Sequence, residues 1–289
     1  MFTRARRVAH YFSPSQLADP DTEWSRLRLQ ILLGVTGLVV LALVVGGAWS
    51  VINMLTGRGS SDASAAGTSA AGSGRSAQDA LADKALPTAP AEAAQPGGDL
   101  STGKTGTLEV PPPMAVGDVG VASGFPHTPQ GALGQLAAID STALSSASVP
   151  VAQDVISKWA AAGGPTPESW SGVQGVAALL GSAGLSSDAQ NAITISVDPK
   201  MGFIKGTVGS DFVVPCVDYI ITATLPGGQA QQVATADCQR MVWQSSGSGS
   251  SSGRWVIGPG KEPAPAASLW PGTQASFDAG YQWLEVPQS

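Results

Sequence analysis

The stretch 212–225, FVVPCVDYIITATL, runs into Pro226–Gly227–Gly228 and then into 230–244, AQQVATADCQRMVWQ. Both runs are rich in β-branched and aromatic residues, and the Pro-Gly-Gly between them is a turn signal, so they read as two strands of a hairpin. Upstream, 192–197 and 203–208 read as two further strands separated by a turn at 198–202. Downstream, 254–257 reads as a last strand, reached through the flexible tip 245–253, SSGSGSSSG.

Helical signals precede the strands. Thr128–Pro129 has the form of an N-cap followed by the first helical residue, and Ala132, Leu133, Leu136, Ile139 and Ala143 recur at helical spacing. A second helix is expected over 150–162, with Val151, Val155, Ile156 and Trp159 on one face and Gly163–Gly164–Pro165 ending it. Thr166–Pro167 starts a third, whose stripe is Trp170, Val173, Ala177 and Leu180. Phe277, Tyr281 and Leu284 suggest a short C-terminal helix laid back on the body. Helices first and strands second define an α+β domain over 114–289, about three helices packed on a curved antiparallel sheet.

The rest of the chain has a different character. Of 289 residues only 12% are charged, with 36 Gly, 21 Pro, two His and two Cys. Residues 31–52, ILLGVTGLVVLALVVGGAWSVI, contain no charge, and the charge-free gap extends from Arg28 to Arg58. That run matches the roughly 20 helical residues that cross a bilayer core of about 30 Å. A transmembrane helix is therefore expected over 29–54. Arg4, Arg6, Arg7, Arg26 and Arg28 precede it and only Arg58 closely follows, which places 1–28 in the cytoplasm and the C-terminal domain outside the cell membrane. A cleaved signal peptide is the competing reading, but the apolar run is long for one and no A-x-A site directly follows it. Ala42, Gly46 and Ser50 fall at i, i+4 and i+8, either a helix-packing stripe or the ordinary small-residue content of such helices.

Residues 55–113 are dominated by Gly, Ala, Ser, Thr and Pro, and no aromatic occurs from Val51 to Gly124. Such a segment buries too little apolar area to offset its ordering entropy, and a disordered stalk is expected there. Charge divides along the same line: residues 1–58 carry six Lys and Arg against three acids, and residues 59–289 nine against eighteen. The net −6 disfavours a sequence-independent nucleic-acid binder, which needs clustered cations.

Candidate chemistry is sparse. Cys216 and Cys238 lie equally far from Gly227, so the hairpin sets them opposite each other, and in an extracytoplasmic domain they read as a disulfide. The alternatives are a metal pair, for which His127 is the one nearby histidine in 114–289, or a thiol acting with His127 and Arg240 in the manner of a sortase, without that family's Thr-Leu-x-Thr-Cys signature. The same hairpin brings Asp218 and Asp237 near each other, where they could act as an acid and base or simply sit on a solvated face. His127 is read as a capping or surface residue. Trp243, Trp255, Trp270 and Trp283 are read as core, with Trp270 the most exposed of them and the best platform for a cell-wall glycan. Asp218, Asp237 and Trp270 together form the expected ligand or partner surface. No metal, cofactor or catalytic set is expected, because G-x-S-x-G, H-E-x-x-H and Walker patterns do not occur in the chain.

The order of tail, membrane helix, stalk and small external α+β domain resembles the bitopic scaffold subunits of conjugative type IV secretion channels. The segments GFPHTPQGA at 124–132, FVVPC at 212–216 and DCQRMVW at 237–243 are similar to membrane proteins encoded on actinobacterial mobile elements. The resemblance covers about 114–289. It implies a cone-shaped domain of the nuclear-transport-factor-two-like class that is not an enzyme. Such a domain recruits and positions other cell-envelope proteins, often as a homo-oligomer. A wall-glycan binder or wall-modifying protein on the same anchor is the alternative.

Overall fold

The computed structural model describes residues 71–103, 106–246 and 252–286. The expected cytoplasmic tail, the membrane helix over 29–54 with Ala42, Gly46 and Ser50, and the first part of the expected stalk lie outside the described residues. Among the described residues no helix is long and apolar enough to cross a membrane.

Three helices pack on one face of a sheet, as the hydrophobic spacing requires. Helix α2 (Pro129–Ser145) starts where Thr128 Oγ1 accepts a hydrogen bond from Gly131 N at 3.0 Å, with Pro129 supplying a preset φ in the first turn. Its stripe Ala132, Leu133, Leu136, Ile139 and Ala143 is fully buried. Helix α3 (Val149–Trp159) is capped by Ser148 and buries Val155, Ile156 and Trp159. Helix α4 (Ser171–Ser182) begins later than Thr166–Pro167 suggests, because Ser169 closes a turn back on Thr166. Its inward face is Val173, Val176, Leu179 and Leu180, and Ala177 is exposed.

The sheet has seven strands, β1 (Thr107–Glu109), β4 (Thr194–Thr207), β5 (Phe212–Thr224), β6 (Gln231–Cys238), β7 (Met241–Ser245), β8 (Gly253–Ile257) and β9 (Gln282–Glu285), in the order β1–β9–β4–β5–β7–β8, with β6 also paired to β5. Strands β4 (Thr194–Thr207) and β5 (Phe212–Thr224) pair antiparallel along nearly their whole length. The turn expected at 198–202 is instead a register shift between Pro199 and Met201 inside one continuous strand. Proline cannot donate to a ladder, and a bulge absorbs it without ending the strand. The expected strand 230–244 is broken at Gln239–Arg240 into β6 (Gln231–Cys238) and β7 (Met241–Ser245), and β8 (Gly253–Ile257) pairs with β7.

Both ends of the described body depart from expectation. The C-terminal helix α5 is only Gln274–Asp278; Gly280, at φ 94°, turns the chain, and Gln282–Glu285 form strand β9. Strand β9 runs parallel to β1 (Thr107–Glu109) and antiparallel to β4, so the sheet is mixed. The stalk expectation over 55–113 is corrected from residue 71 onward. Helix α1 (Ala71–Asp83) buries Ala82, and Ala94 and Val110 are also buried. Backbone hydrogen bonds tie Ala93 O to Trp270 N, Asp99 O to Gln274 N and Ser101 N to Gly272 O. Composition concealed this because the segment buries few large side chains of its own. It is ordered by backbone pairing to the C-terminal residues, which residue type does not reveal.

The two described termini thus cover the sheet face opposite the helices. A short hairpin, β2 (Ala115–Val116) and β3 (Ala122–Ser123), completes the body beside α3.

Candidate functional site

Strand register decides what each sequence candidate can do. Cys216 stands directly opposite Cys238 and the two form a disulfide, with Cα atoms 4.1 Å apart. Val217 stands opposite Asp237, and Asp218 opposite Ala236. Neighbouring residues on a strand face opposite sides, so Asp218 and Asp237 point away from each other. The hairpin brings their backbones together and separates their carboxyl groups, and the expected acid–base pair between them does not form.

Asp237 instead joins a cluster on the helix side. Asp140 of α2, whose neighbours on the stripe are Leu136 and Ala143, accepts a 2.6 Å hydrogen bond from Tyr219 Oη. The Asp237 carboxyl neighbours that of Asp140, close enough for its charge to act on it. Asp237 Oδ1 accepts from Gln239 Nε2 at 3.3 Å, and Glu262 Oε1 accepts from Ser171 N at 2.9 Å. Trp170, the N-cap position of α4, offers no side-chain cap, so Glu262 caps that helix from the far end of the sequence.

Acceptors outnumber donors in this cluster, and Asp237 Oδ2 has no hydrogen-bond partner. Burial, reinforced by the charge of Asp237, raises Asp140 well above the usual carboxylate range. Burial and the charge of Glu262 push Asp237 up to about 7. Glu262 is also raised, chiefly by burial, and Tyr219 is raised by burial and by Asp140. Burial therefore favours the protonated form of these acids, as expected where neighbouring carboxyl groups are desolvated together. Among the described residues no set of three or more His, Cys, Asp or Glu is placed to hold a metal ion.

On the other face Asp218 is fully buried and neither oxygen has a partner in hydrogen-bond geometry. Burial raises it well above the usual range, opposed only by the nearby Leu269 amide. Trp270 is half-buried and packs against the main core, so it offers no open platform. Of the expected ligand or partner surface, Asp218 is withdrawn into the interior, while Trp270 and Asp237 are half-buried.

His127 lies outside the cluster. Its ring stacks on Trp243 at 4.3 Å and its Nε2 lies 2.8 Å from Asp211 Oδ1. Trp255, fully buried, donates its indole N–H to Pro126 O at 2.9 Å, which fixes the chain before α2. Arg240, a charged residue almost fully buried, ion-pairs with Asp79 of α1 at 2.8 Å and donates to Lys261 O at 2.7 Å. A cleft of about 320 Å³ lies there, lined by α1, Arg240 and Pro259–Gly260–Lys261.

The β2–β3 hairpin is the feature that sequence reasoning passed over. Met114, Val116 and Val119 are 79%, 77% and 42% exposed. The hairpin is braced from behind: Trp159 Nε1 donates to Asp118 O at 3.1 Å, Asp118 Oδ2 pairs with Arg254 Nη1 at 2.9 Å, and the Arg254 guanidinium lies over the Trp159 ring. Val119 is held at φ 51°, ψ 29°, the left-handed region that a β-branched residue rarely adopts. PPPMAVGDVGV at 111–121, apolar yet punctuated by Pro and Gly, was the available signal for a projecting apolar turn. Compared with protein-family models, curated proteins and solved structures, the chain matches none.

Proposed function

We propose that this protein is a non-enzymatic scaffold subunit of a cell-envelope transfer or secretion assembly. In this reading it is anchored by residues 29–54, with its C-terminal body outside the membrane. Its partners are other envelope proteins or further copies of itself, and the lipid bilayer holds its anchor.

The observation that carries the reading is the braced hairpin. Exposed apolar groups gathered on one turn are costly to leave in water and mark docking surfaces. Here Met114, Val116 and Val119 are presented by a turn fixed to Trp159 and Arg254, so little conformational freedom is lost when a partner covers them. The disulfide is consistent with an oxidising, extracytoplasmic setting. The wall-glycan reading has no comparable support, because Trp270 packs against the core.

A photo-crosslinking residue at Val116, in intact membranes of the native host, should capture an envelope protein or a second copy of the chain. The same probe at exposed Glu168 serves as control. Equal, background labelling from both positions overturns the reading.

A further inference from the structure

The geometry points to helix α1 as a releasable strap, a segment held on the domain by one ion pair and by an apolar toe with two hydrogen bonds to its last turn, whose undocking lengthens the chain leading into the body. Within 74–83 only Ala82 is fully buried; Leu81 is half-buried, and Arg75, Ser76, Ala77 and Ala80 are exposed. All firm attachment lies toward the C-terminal end. Leu81 lies where a side chain on Gly206 would sit, and Ala82 joins Phe212 and Val214 in a small apolar cluster. Lys205 Nζ and Ala264 N both donate to Ala82 O, at 2.7 and 2.9 Å. The remaining tie is Asp79 to Arg240, in which the aspartate is half-exposed and the arginine buried.

This asymmetry matters. A helix of thirteen residues is marginal on its own in water, so losing the Asp79–Arg240 pair lets α1 unwind as well as detach. As a helix it spans about 20 Å; as extended chain the same residues reach about 45 Å. Release stops beyond it, because Ala93, Asp99 and Ser101 are each pinned by backbone hydrogen bonds to residues 270–274. The buried Arg240 charge, left behind without Asp79, favours an anionic group in the adjoining cleft, and a carboxylate or phosphate from a partner would hold the strap open.

The consequence for reach above a membrane rests on the anchor proposed for 29–54. The strap itself does not, and its test reads α1 alone. Hydrogen exchange on the full chain in detergent micelles should show 74–83 exchanging at least about tenfold faster than β4 and β5. It should still be slower than a free peptide of that sequence. Asp79→Asn should speed exchange in 74–83 severalfold toward the free-peptide rate and leave β4 and β5 unchanged; Leu81→Ala should act in the same direction through the apolar toe. Exchange of wild-type 74–83 at the rate of β4 and β5 would overturn the proposal. So would an Asp79→Asn variant whose 74–83 is unaffected, or one in which β4 and β5 open together with α1.

Discussion

The β5–β6 hairpin places two neighbouring acids in opposite settings. On its helix side, Asp237 accepts from Gln239 and neighbours Asp140 in a cluster that includes Tyr219, Ser171 and Glu262. On its other side, Asp218 is enclosed by Met201, Ala236, Leu269 and Tyr281, with the Leu269 amide nearby and no side-chain partner. Both are driven toward the protonated form by burial, but only one belongs to a network. A buried acid in a network ties several elements together, whereas an isolated one is a local cost.

The comparison can be broken most severely at the disulfide, which lies on the same side as Asp218. Replacing Cys216 and Cys238 together by Ser opens a link spanning 22 residues of sequence and should lower stability by about 3 kcal/mol. Urea unfolding of the purified domain measures this. A loss well under 1 kcal/mol would mean that the protonated cluster, and not the covalent link, pins the hairpin.

The next effect is pH. Asp237 keeps its proton up to about 7 in the folded chain, while the unfolded chain sheds it near pH 4. The folded state therefore holds more protons across that window, and stability should fall as pH rises through it, on the order of 1 kcal/mol per pH unit. Urea midpoints at pH 5, 6 and 7 test the sign, and a rise in stability over this range would refute the assignment of protonated carboxyls. Asp237→Asn should reduce the dependence and leave the part that Asp140, Asp218 and Glu262 contribute.

A smaller change follows at the hydroxyl. Tyr219→Phe removes the donor to Asp140 and leaves a buried acceptor unmatched, a loss of about 1.5 kcal/mol. The smallest effect is on the opposite face and has the opposite sign. Asp218→Asn removes an ionisable group that has no partner, so stability should rise by about 1 kcal/mol at pH 8 and stay unchanged at pH 4.5. Thermal melts at the two pH values separate the faces: a destabilising Asp218→Asn would show that this carboxyl has a partner.

Much of the interior was legible in advance where the signal is local. The stripe Ala132–Ala143 with its Thr128–Pro129 start is a helix from its spacing and cap alone, and it appears as α2. The turn at 226–228 and the equal spacing of the two cysteines about Gly227 foretold their pairing across β5 and β6. Asp140 left a fainter trace, a charge on the apolar stripe of α2, which is a departure from amphipathic order that only a buried partner explains. Three further features were not legible: the parallel pairing of β1 with β9, the docking of 71–110 on the C-terminal residues, and the capping of α4 by Glu262. Each depends on backbone or side-chain groups separated by about ninety residues or more, and nothing in either segment names the other.

The sequence by itself determined the start and buried face of α2 and which cysteines pair, because caps, periodicity and turn residues act over a few positions. Tertiary structure alone decided that Asp218 and Asp237, nineteen residues apart and adjacent in the hairpin, face opposite ways. A shift of one residue in strand register moves a side chain through the sheet. That single step separates an acid in a polar cluster from an acid enclosed by apolar side chains.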